Sequence, residues 1–268
     1  MTGQGMVFSD VQIATWLSAW WLPFARIAAA MMAAPLFGHR LIPPQVRLAV
    51  ALSLSTLLVP WQPALPDFNP LSLQGVLMTA NELVLGVCLG FLLQLVFEAV
   101  LFAGQFVATG MGLGFATLVD QQQGISVAVV GQFLMLMTML LFLAMNGHLA
   151  FIRFIADSFQ AWPAGTATIS PDSMQLVLKA IGSMLRGALG IALPAVIALL
   201  VVQIAMGVVS RASPTLNLFA VGFPVTLMLG LIVMERTLPA LRPQVERMFG
   251  DAFETMSQLL ETGRHVSQ

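Results

Sequence analysis

The sequence predicts an all-α integral membrane protein, because it is long, very apolar and poor in charge. Of its 268 residues, 58% are hydrophobic and only 9% are charged, whereas about a quarter of the residues of a soluble domain are charged. A single water-soluble core cannot bury this much apolar surface, so lipid must be the solvent for much of the chain. The net charge of −1 gives no electrostatic reason to expect nucleic acid as a partner.

The apolar stretches predict about six helical segments, since one bilayer crossing needs roughly 20 apolar residues. The second segment is short for a crossing, and the third and fifth are long enough to tilt or kink. Linkers that contain proline and glycine separate the segments and interrupt the helices. The segments lie near residues 11–37, 46–60, 73–103, 126–152, 181–209 and 216–235.

The C-terminal tail has a different pattern, in which apolar residues recur every three or four positions between charged ones. This pattern is typical of an amphipathic helix. We therefore predict a membrane domain over residues 1–240 and an amphipathic helix over residues 241–268. Packing against its own protein is the simplest interpretation of the tail, and a role at the membrane surface or in docking a partner is the alternative.

Four charged residues lie within or at the ends of the apolar segments. A charge at the bilayer centre costs about 2.5–3.5 kcal/mol on insertion scales, so such residues normally face protein or water. No series of Asp, Glu or His follows one helix, which favours buried structural pairs over a proton or ion relay. These residues are Arg26, Glu82, Glu98 and Arg186.

Catalytic, cofactor and metal motifs are not found in the sequence. It contains no H-E-x-x-H, no G-x-S-x-G and no G-x-x-x-x-G-K-[ST] pattern. Its three histidines, His39, His148 and His265, are scattered along the chain, which makes a metal site an unfavourable interpretation. We therefore predict a protein that is not an enzyme and needs no cofactor.

A glycine-rich stretch, "GMGLGFATLVDQQQG", lies between two apolar segments. The alternate spacing of its glycines does not line one helix face, which favours irregular backbone over a small-residue packing interface. Irregular backbone at membrane depth persists only inside protein or beside water. We predict a flexible loop beside an aqueous path with an apolar stopper. Its residues are Gly110, Met111, Gly112, Leu113, Gly114, Phe115, Leu118, Asp120, Gln121, Gln122 and Gln123.

Three stretches of the chain resemble the FliR family of export-gate subunits. They are "GLGFATLVD", the following "LLFLAMNGH", and "RASPTLNLFAVGFPVTLMLG" over Arg211–Gly230. The pattern N-x-F-x-x-G-F-P-x-T-L at Asn217–Leu227 is the most specific of the matches. The resemblance extends over nearly the whole chain in length, segment order and loop position.

The resemblance implies a subunit of the type III protein export gate in the bacterial inner membrane, at the flagellar basal body. FliR-like proteins form a helical pore with FliP-like and FliQ-like partners, beside FlhB-like and FlhA-like components, and unfolded proteins pass through it. The loop at Gly110–Gly124 is then the channel plug. The stretch with Pro214, Asn217, Phe219, Gly222, Phe223 and Pro224 belongs to a subunit interface.

Other functions are possible from the residues alone. A virulence type III gate would use a related subunit. A small-molecule or ion transporter would use Pro- and Gly-broken helices around a site at the membrane midplane, and inverted repeats would support it, although none is visible. A membrane enzyme is disfavoured because the sequence lacks a catalytic cluster.

Overall fold

The structure, a computed structural model, describes residues 10–38, 42–61, 72–113, 129–168, 170–212 and 218–266. These ranges contain helices, turns and no strand, which confirms the predicted all-α fold. The helices are α1 (Asp10–Ala33), α2 (Pro44–Leu58), α3 (Leu73–Gly110), α4 (Val129–Ala144), α5 (Gly147–Ala161), α6 (Pro171–Ala212) and α7 (Leu218–Val266), and a 3-10 turn (Val59–Trp61) follows α2.

Three helices are long and apolar enough to cross a membrane, namely α3, α6 and the Gly222–Thr262 part of α7. Helices α4 and α5 qualify together as a fourth candidate span, and they are bent by 66° at the break between them. Helix α2 is apolar but has only 15 residues. The described residues therefore contain fewer spans than the six apolar segments suggest, and the protein is an integral membrane protein.

The expectation of one segment over residues 126–152 is wrong, because a turn divides it into α4 and α5. Asn146 has a φ of 55°, in the left-handed region that ends a right-handed helix. A Cβ added at the next residue, Gly147, would overlap the ring of Phe142. The Asn-Gly pair is a turn signal, and the apolar run around it concealed that signal.

Helix α6 begins well before the predicted start at residue 181. Its first residue is Pro171, as expected for the first helical position. The Oγ of Ser170 accepts a hydrogen bond from the N–H of Ser173 at 3.2 Å, which caps the helix. The apolar run alone does not include the polar first turns, but the Ser170-Pro171-Asp172 sequence is typical of a helix start and predicts this beginning of α6.

Helix α7 joins the last apolar segment to the amphipathic tail without a break at residue 240. It contains Pro224, Pro239 and Pro243. The burial of the tail agrees with the simplest interpretation, in which the tail packs against its own protein. The domain boundary at residue 240 stays a prediction. The buried tail residues are Val245, Met248, Phe249, Ala252, Met256, Leu259 and Leu260.

The chain divides into two compact units. The first contains Met1–Gln94, His148–Leu178 and Phe253–Gln268. Within it α1 packs on α2, and the backbones of α1 and α3 approach closely where α3 carries glycine. A Cβ at Gly86 or at Gly90 would overlap a main-chain oxygen of α1. Glycines four residues apart lie on one helix face, so they allow this small-residue contact.

The second unit contains Leu95–Gly147 and Lys179–Ala252. Three phenylalanines form its aromatic centre: Phe97, Phe142 and Phe249 have ring centroids 5.0–5.6 Å apart. Their three helices, α3, α4 and α7, thus meet at rings that are all buried. The backbones of α3 and α4 are also in contact, since a Cβ added at Gly104 of α3 would overlap the Cα of Gly131 of α4.

Replacing Gly104 with alanine should destabilise the protein although alanine is the better helix former. The added methyl meets the backbone of α4, which cannot move aside as a side chain can, and overpacking costs about 1–3 kcal/mol. The matched control is Gly182→Ala, because no atom lies within 4 Å of a Cβ there. That variant should gain up to about 1 kcal/mol. Thermal unfolding in detergent measures both, and equal shifts would contradict the close contact.

Candidate functional site

The base of the glycine-rich loop is a defined helix terminus. The N–H of Leu113 donates to the carbonyl of Ala108 at 3.1 Å, and the N–H of Gly112 donates to that of Thr109 at 3.0 Å. This pair of bonds is the Schellman motif, in which the residue after the cap adopts a left-handed conformation. Gly112 has a φ of 82°, so a glycine is needed there for backbone geometry.

Two side chains from other helices bind the last carbonyls of α3. The Nε2 of Gln203, on α6, donates to the carbonyl oxygen of Gly110 at 2.8 Å. The Oγ1 of Thr226, on α7, shares its one hydrogen between the Phe223 carbonyl oxygen of its own helix, at 3.0 Å, and the carbonyl oxygen of Met111, at 3.3 Å. Carbonyls at a helix C-terminus have no partner within their own helix, so these bonds attach the loop base to α6 and α7.

Met111 anchors the loop base by packing. Its side chain is fully buried, and a Cβ added at Gly230 of α7 would overlap it. A Cβ added at Gly112 would lie 3.5 Å from the ring of Phe223. The structure thus brings together two stretches that the sequence predicted separately, the plug loop and the interface stretch.

The remaining predicted residues of these two stretches are only partly described. Gly114, Phe115, Leu118, Asp120, Gln121, Gln122 and Gln123 lie outside the described residues, as do Pro214 and Asn217. Phe219 is described as part of α7 by its backbone alone. Gly222 is buried, and the side chains of Phe223 and Pro224 are exposed on α7.

Arg26 and Glu82 form an ion pair that is completely buried in the first unit. The Nε of Arg26, on α1, donates to the Oε2 of Glu82, on α3, at 2.6 Å. Both side chains have 0% exposure. Removing two charges from water costs several kcal/mol each, and their attraction offsets this cost only if hydrogen bonds satisfy the remaining polar atoms.

Helix α5 and the turn after it provide these hydrogen bonds. The Nη1 of Arg26 donates to the carbonyl oxygen and the Oγ of Ser158, at 3.0 and 3.1 Å. The N–H of Gly165 donates to the Oε1 of Glu82 at 2.7 Å. The Nη2 of Arg26 has no hydrogen-bond partner among the described residues, but the guanidinium lies 4.2 Å from the ring centroid of Phe159, a favourable cation–π position.

The other two charged residues are placed differently. Glu98 and Arg186 are both exposed on the surface of the chain, on α3 and α6. They are therefore not part of the buried charge cluster. Residues Ser158 and Gly165 were not predicted to belong to the charge cluster, because a serine in a helix and a glycine in a linker carry no sequence signal for a distant arginine or glutamate.

The ranges that the structure describes hold no group of three or more His, Cys, Asp or Glu side chains that could bind a metal ion. The helices expose long apolar surfaces instead. In the most apolar 18-residue stretch of α6 only 17% of the residues are buried, and in that of α7 only 11%, against 56% in α3. Such surfaces require lipid or protein as their neighbour.

Comparison with known proteins identifies the family. Residues 17–252 match the family described as bacterial export proteins, family 1. The chain is 34% identical to the flagellar biosynthetic protein FliR of Pectobacterium carotovorum subsp. carotovorum, over 95% of this chain and 97% of that protein. It is 30% identical to FliR of Escherichia coli strain K12, over 92% and 94%, and 30% identical to FliR of Bacillus subtilis strain 168, over 90% and 94%.

The apolar helical spans define an all-α membrane protein, and the family match makes it a protein of the export class. The chain belongs to family 1 of the bacterial export proteins, the family of the flagellar FliR proteins. The resemblance found in the sequence is confirmed by these matches.

Replacing Glu82 with glutamine should strongly destabilise the protein. The change leaves the Arg26 charge buried without a counter-charge, and breaking such a pair costs about 3–5 kcal/mol. Glu246→Gln is the matched control, because Glu246 accepts from the Nε of Arg242 at 2.7 Å on an exposed helix surface. An exposed pair contributes at most about 1 kcal/mol. Thermal unfolding should separate the two variants, and similar small losses would show that the buried pair does not support the fold.

Replacing Gly112 with alanine should slow protein export. An L-residue in the left-handed region costs about 1–2 kcal/mol, so the loop base would lose its Schellman geometry. Gly110→Ala is the control, since Gly110 is helical and its Cβ would meet only the flexible side chain of Leu199, at 3.1 Å. Secretion assays should show a loss for the first variant alone. Equal secretion by both variants would contradict a role for the Gly112 conformation.

Proposed function

We propose that this protein is a structural and gating subunit of the flagellar type III protein export gate in the bacterial inner membrane, at the flagellar basal body. It forms a pore with FliP-like and FliQ-like subunits, next to FlhB-like and FlhA-like components, and unfolded proteins pass through the pore. It acts by assembly and movement and catalyses no reaction. Membership of the export family supports this proposal, and the flagellar relatives favour a flagellar over a virulence gate.

The exposed apolar surfaces of α6 and α7 are the observation that carries the assembly part of the proposal. Large apolar side chains follow one another along α6 with little cover from the rest of the chain. Lipid alone would satisfy them, but a pore subunit needs protein contacts on the same surfaces. The exposed members on α6 include Leu185, Leu189, Leu193, Ile197, Leu200, Val201, Ile204 and Val208.

The anchored base of the glycine-rich loop supports the gating part. Gln203, Thr226 and the buried Met111 fix the point where the loop leaves α3. A loop that plugs a pore has to stay attached to the protein at its base while the rest of the loop moves out of the pore. Apolar side chains such as Phe115 and Leu118 can close a pore to water and ions by dewetting.

Partner capture tests the assembly. The full chain, tagged and co-expressed with the other export proteins of its bacterium, should purify in a fixed ratio with small hydrophobic subunits. Replacing Leu193 and Ile197 on the exposed surface of α6 with serine should weaken this capture, because both side chains would then lose apolar contact area. The control pair Leu178→Ser and Met174→Ser changes exposed positions near the start of the same helix. Purification of the wild-type chain alone or as a homo-oligomer would instead favour a transporter.

Conductance of the assembled gate tests the plug. Removing Gly114–Gln123, while keeping the anchored residues 110–113, should leave a complex that assembles but conducts small ions. A second variant replaces the same residues with a Gly/Ser linker of equal length, so that the connection is kept and the apolar side chains are lost. The complex with this variant should also conduct small ions. If both complexes assembled and stayed as ion-tight as the wild type, the stopper would lie in another subunit and the plug proposal would be wrong.

A further inference from the structure

The second unit contains a cavity of about 410 Å³. Its walls come from α3, α4, α6 and α7 and are mainly apolar, with Val107, Leu134 and Ile191 among the lining residues. Gly190 and Pro194 of α6 also line it. A proline within a helix cannot donate to the carbonyl four residues earlier, so the Gly190 carbonyl at the wall lacks its usual helical donor.

One side of the cavity is cationic. Arg236 and Arg247 both line it, together with the polar side chains of Thr237 and Gln244, and the lining contains no Asp or Glu. None of the ion pairs among the described residues includes either arginine. Arg247 donates to the Pro243 carbonyl at 3.2 Å and to the Gln244 side-chain oxygen at 2.7 Å, which holds its guanidinium at the wall.

Arg236 lies where a headgroup is expected. Arg236 closely follows the apolar run that ends at Met234, which is where a spanning helix reaches the membrane interface. Arg247 lies on nearly the same face of α7 but about three helical turns, roughly 16 Å, further along its axis, so the two long side chains line the two ends of the cationic wall. An apolar wall beside cationic groups at an interface fits a molecule with a hydrocarbon chain and an anionic head.

We propose that this cavity binds an anionic phospholipid, with an acyl chain against Ile191 and Leu134 and the anionic headgroup between the side chains of Arg236 and Arg247. Basic pockets between membrane helices bind anionic headgroups in this way. The hydroxyl groups of a glycerol headgroup would provide a donor for the Gly190 carbonyl, which has no donor four residues later in its helix. The lipid would fill a space that the protein itself leaves empty between α6 and α7.

Native mass spectrometry of the full chain in neutral detergent tests the charge selectivity. The probes are phosphatidylglycerol and phosphatidylcholine with identical acyl chains, in equal amounts. The wild type should retain phosphatidylglycerol preferentially, and the double variant Arg236→Gln/Arg247→Gln should lose about fivefold in preference for each arginine. The control Arg153→Gln/Arg242→Gln removes two exposed arginines that pair with carboxylates on their own helices, and it should keep the wild-type preference.

A cavity-filling variant tests the acyl chain without changing charge. Ile191→Trp should reduce retention of phosphatidylglycerol, whereas Ile197→Trp, at an exposed position of α6 outside the cavity lining, should not. Excess glycerol phosphate, which has no acyl chain, should not displace the lipid. Equal loss in the two arginine double variants, or equal retention by the two tryptophan variants, would overturn the proposal. No preference in the wild type would also overturn it, and a protein subunit would then be the better occupant.

Discussion

The buried ion pair between Arg26 and Glu82 is the constraint on which the first unit depends. It connects α1 to α3, and its remaining polar atoms require the Ser158 end of α5 and the Gly165 turn to be in place. A buried charge that has lost its partner costs about 3–5 kcal/mol. The pair therefore penalises incorrect packing of these elements more than it stabilises the correct one. Because Gly86 has no side chain, α1 and α3 can approach closely beside the ion pair.

Much of the fold could be predicted from the sequence because apolar periodicity determines where membrane helices form. Six apolar segments correspond to helices, and Ser170 with Pro171 marked the start of α6 correctly. Turn and proline signals inside the apolar segments were harder to interpret. The Asn146 turn divides one predicted segment, and the proline-containing α7 continues where proline suggested a break. Prolines in membrane helices are tolerated when neighbouring groups satisfy the freed carbonyls, and the sequence does not show those neighbours.

The candidate sites could be predicted in part. The sequence identified Arg26 and Glu82 because a charge in an apolar segment is energetically costly. Glu98 and Arg186 also lie in apolar segments, yet they are exposed. Which charges pair depends on contacts between distant segments, and the sequence does not show these contacts. The glycine-rich loop was predicted from its spacing, whereas the roles of its glycines differ. Gly110 is helical and Gly112 forms the cap. Gln203 and Thr226 hold the loop base from helices far along the chain, and nothing in their local sequence indicates this contact.

If the buried charges of Arg26 and Glu82 are structural, export needs no proton transfer through them. The double variant Arg26→Met/Glu82→Gln tests this claim most directly, because it removes both titratable groups and keeps a side-chain oxygen that can accept from the Gly165 N–H. Export and its dependence on the proton-motive force would be measured in cells that lack the native gene. We expect the double variant to assemble and export with wild-type dependence, while Glu82→Gln alone fails to assemble. Normal assembly of the double variant without export would contradict a purely structural role for the two charges.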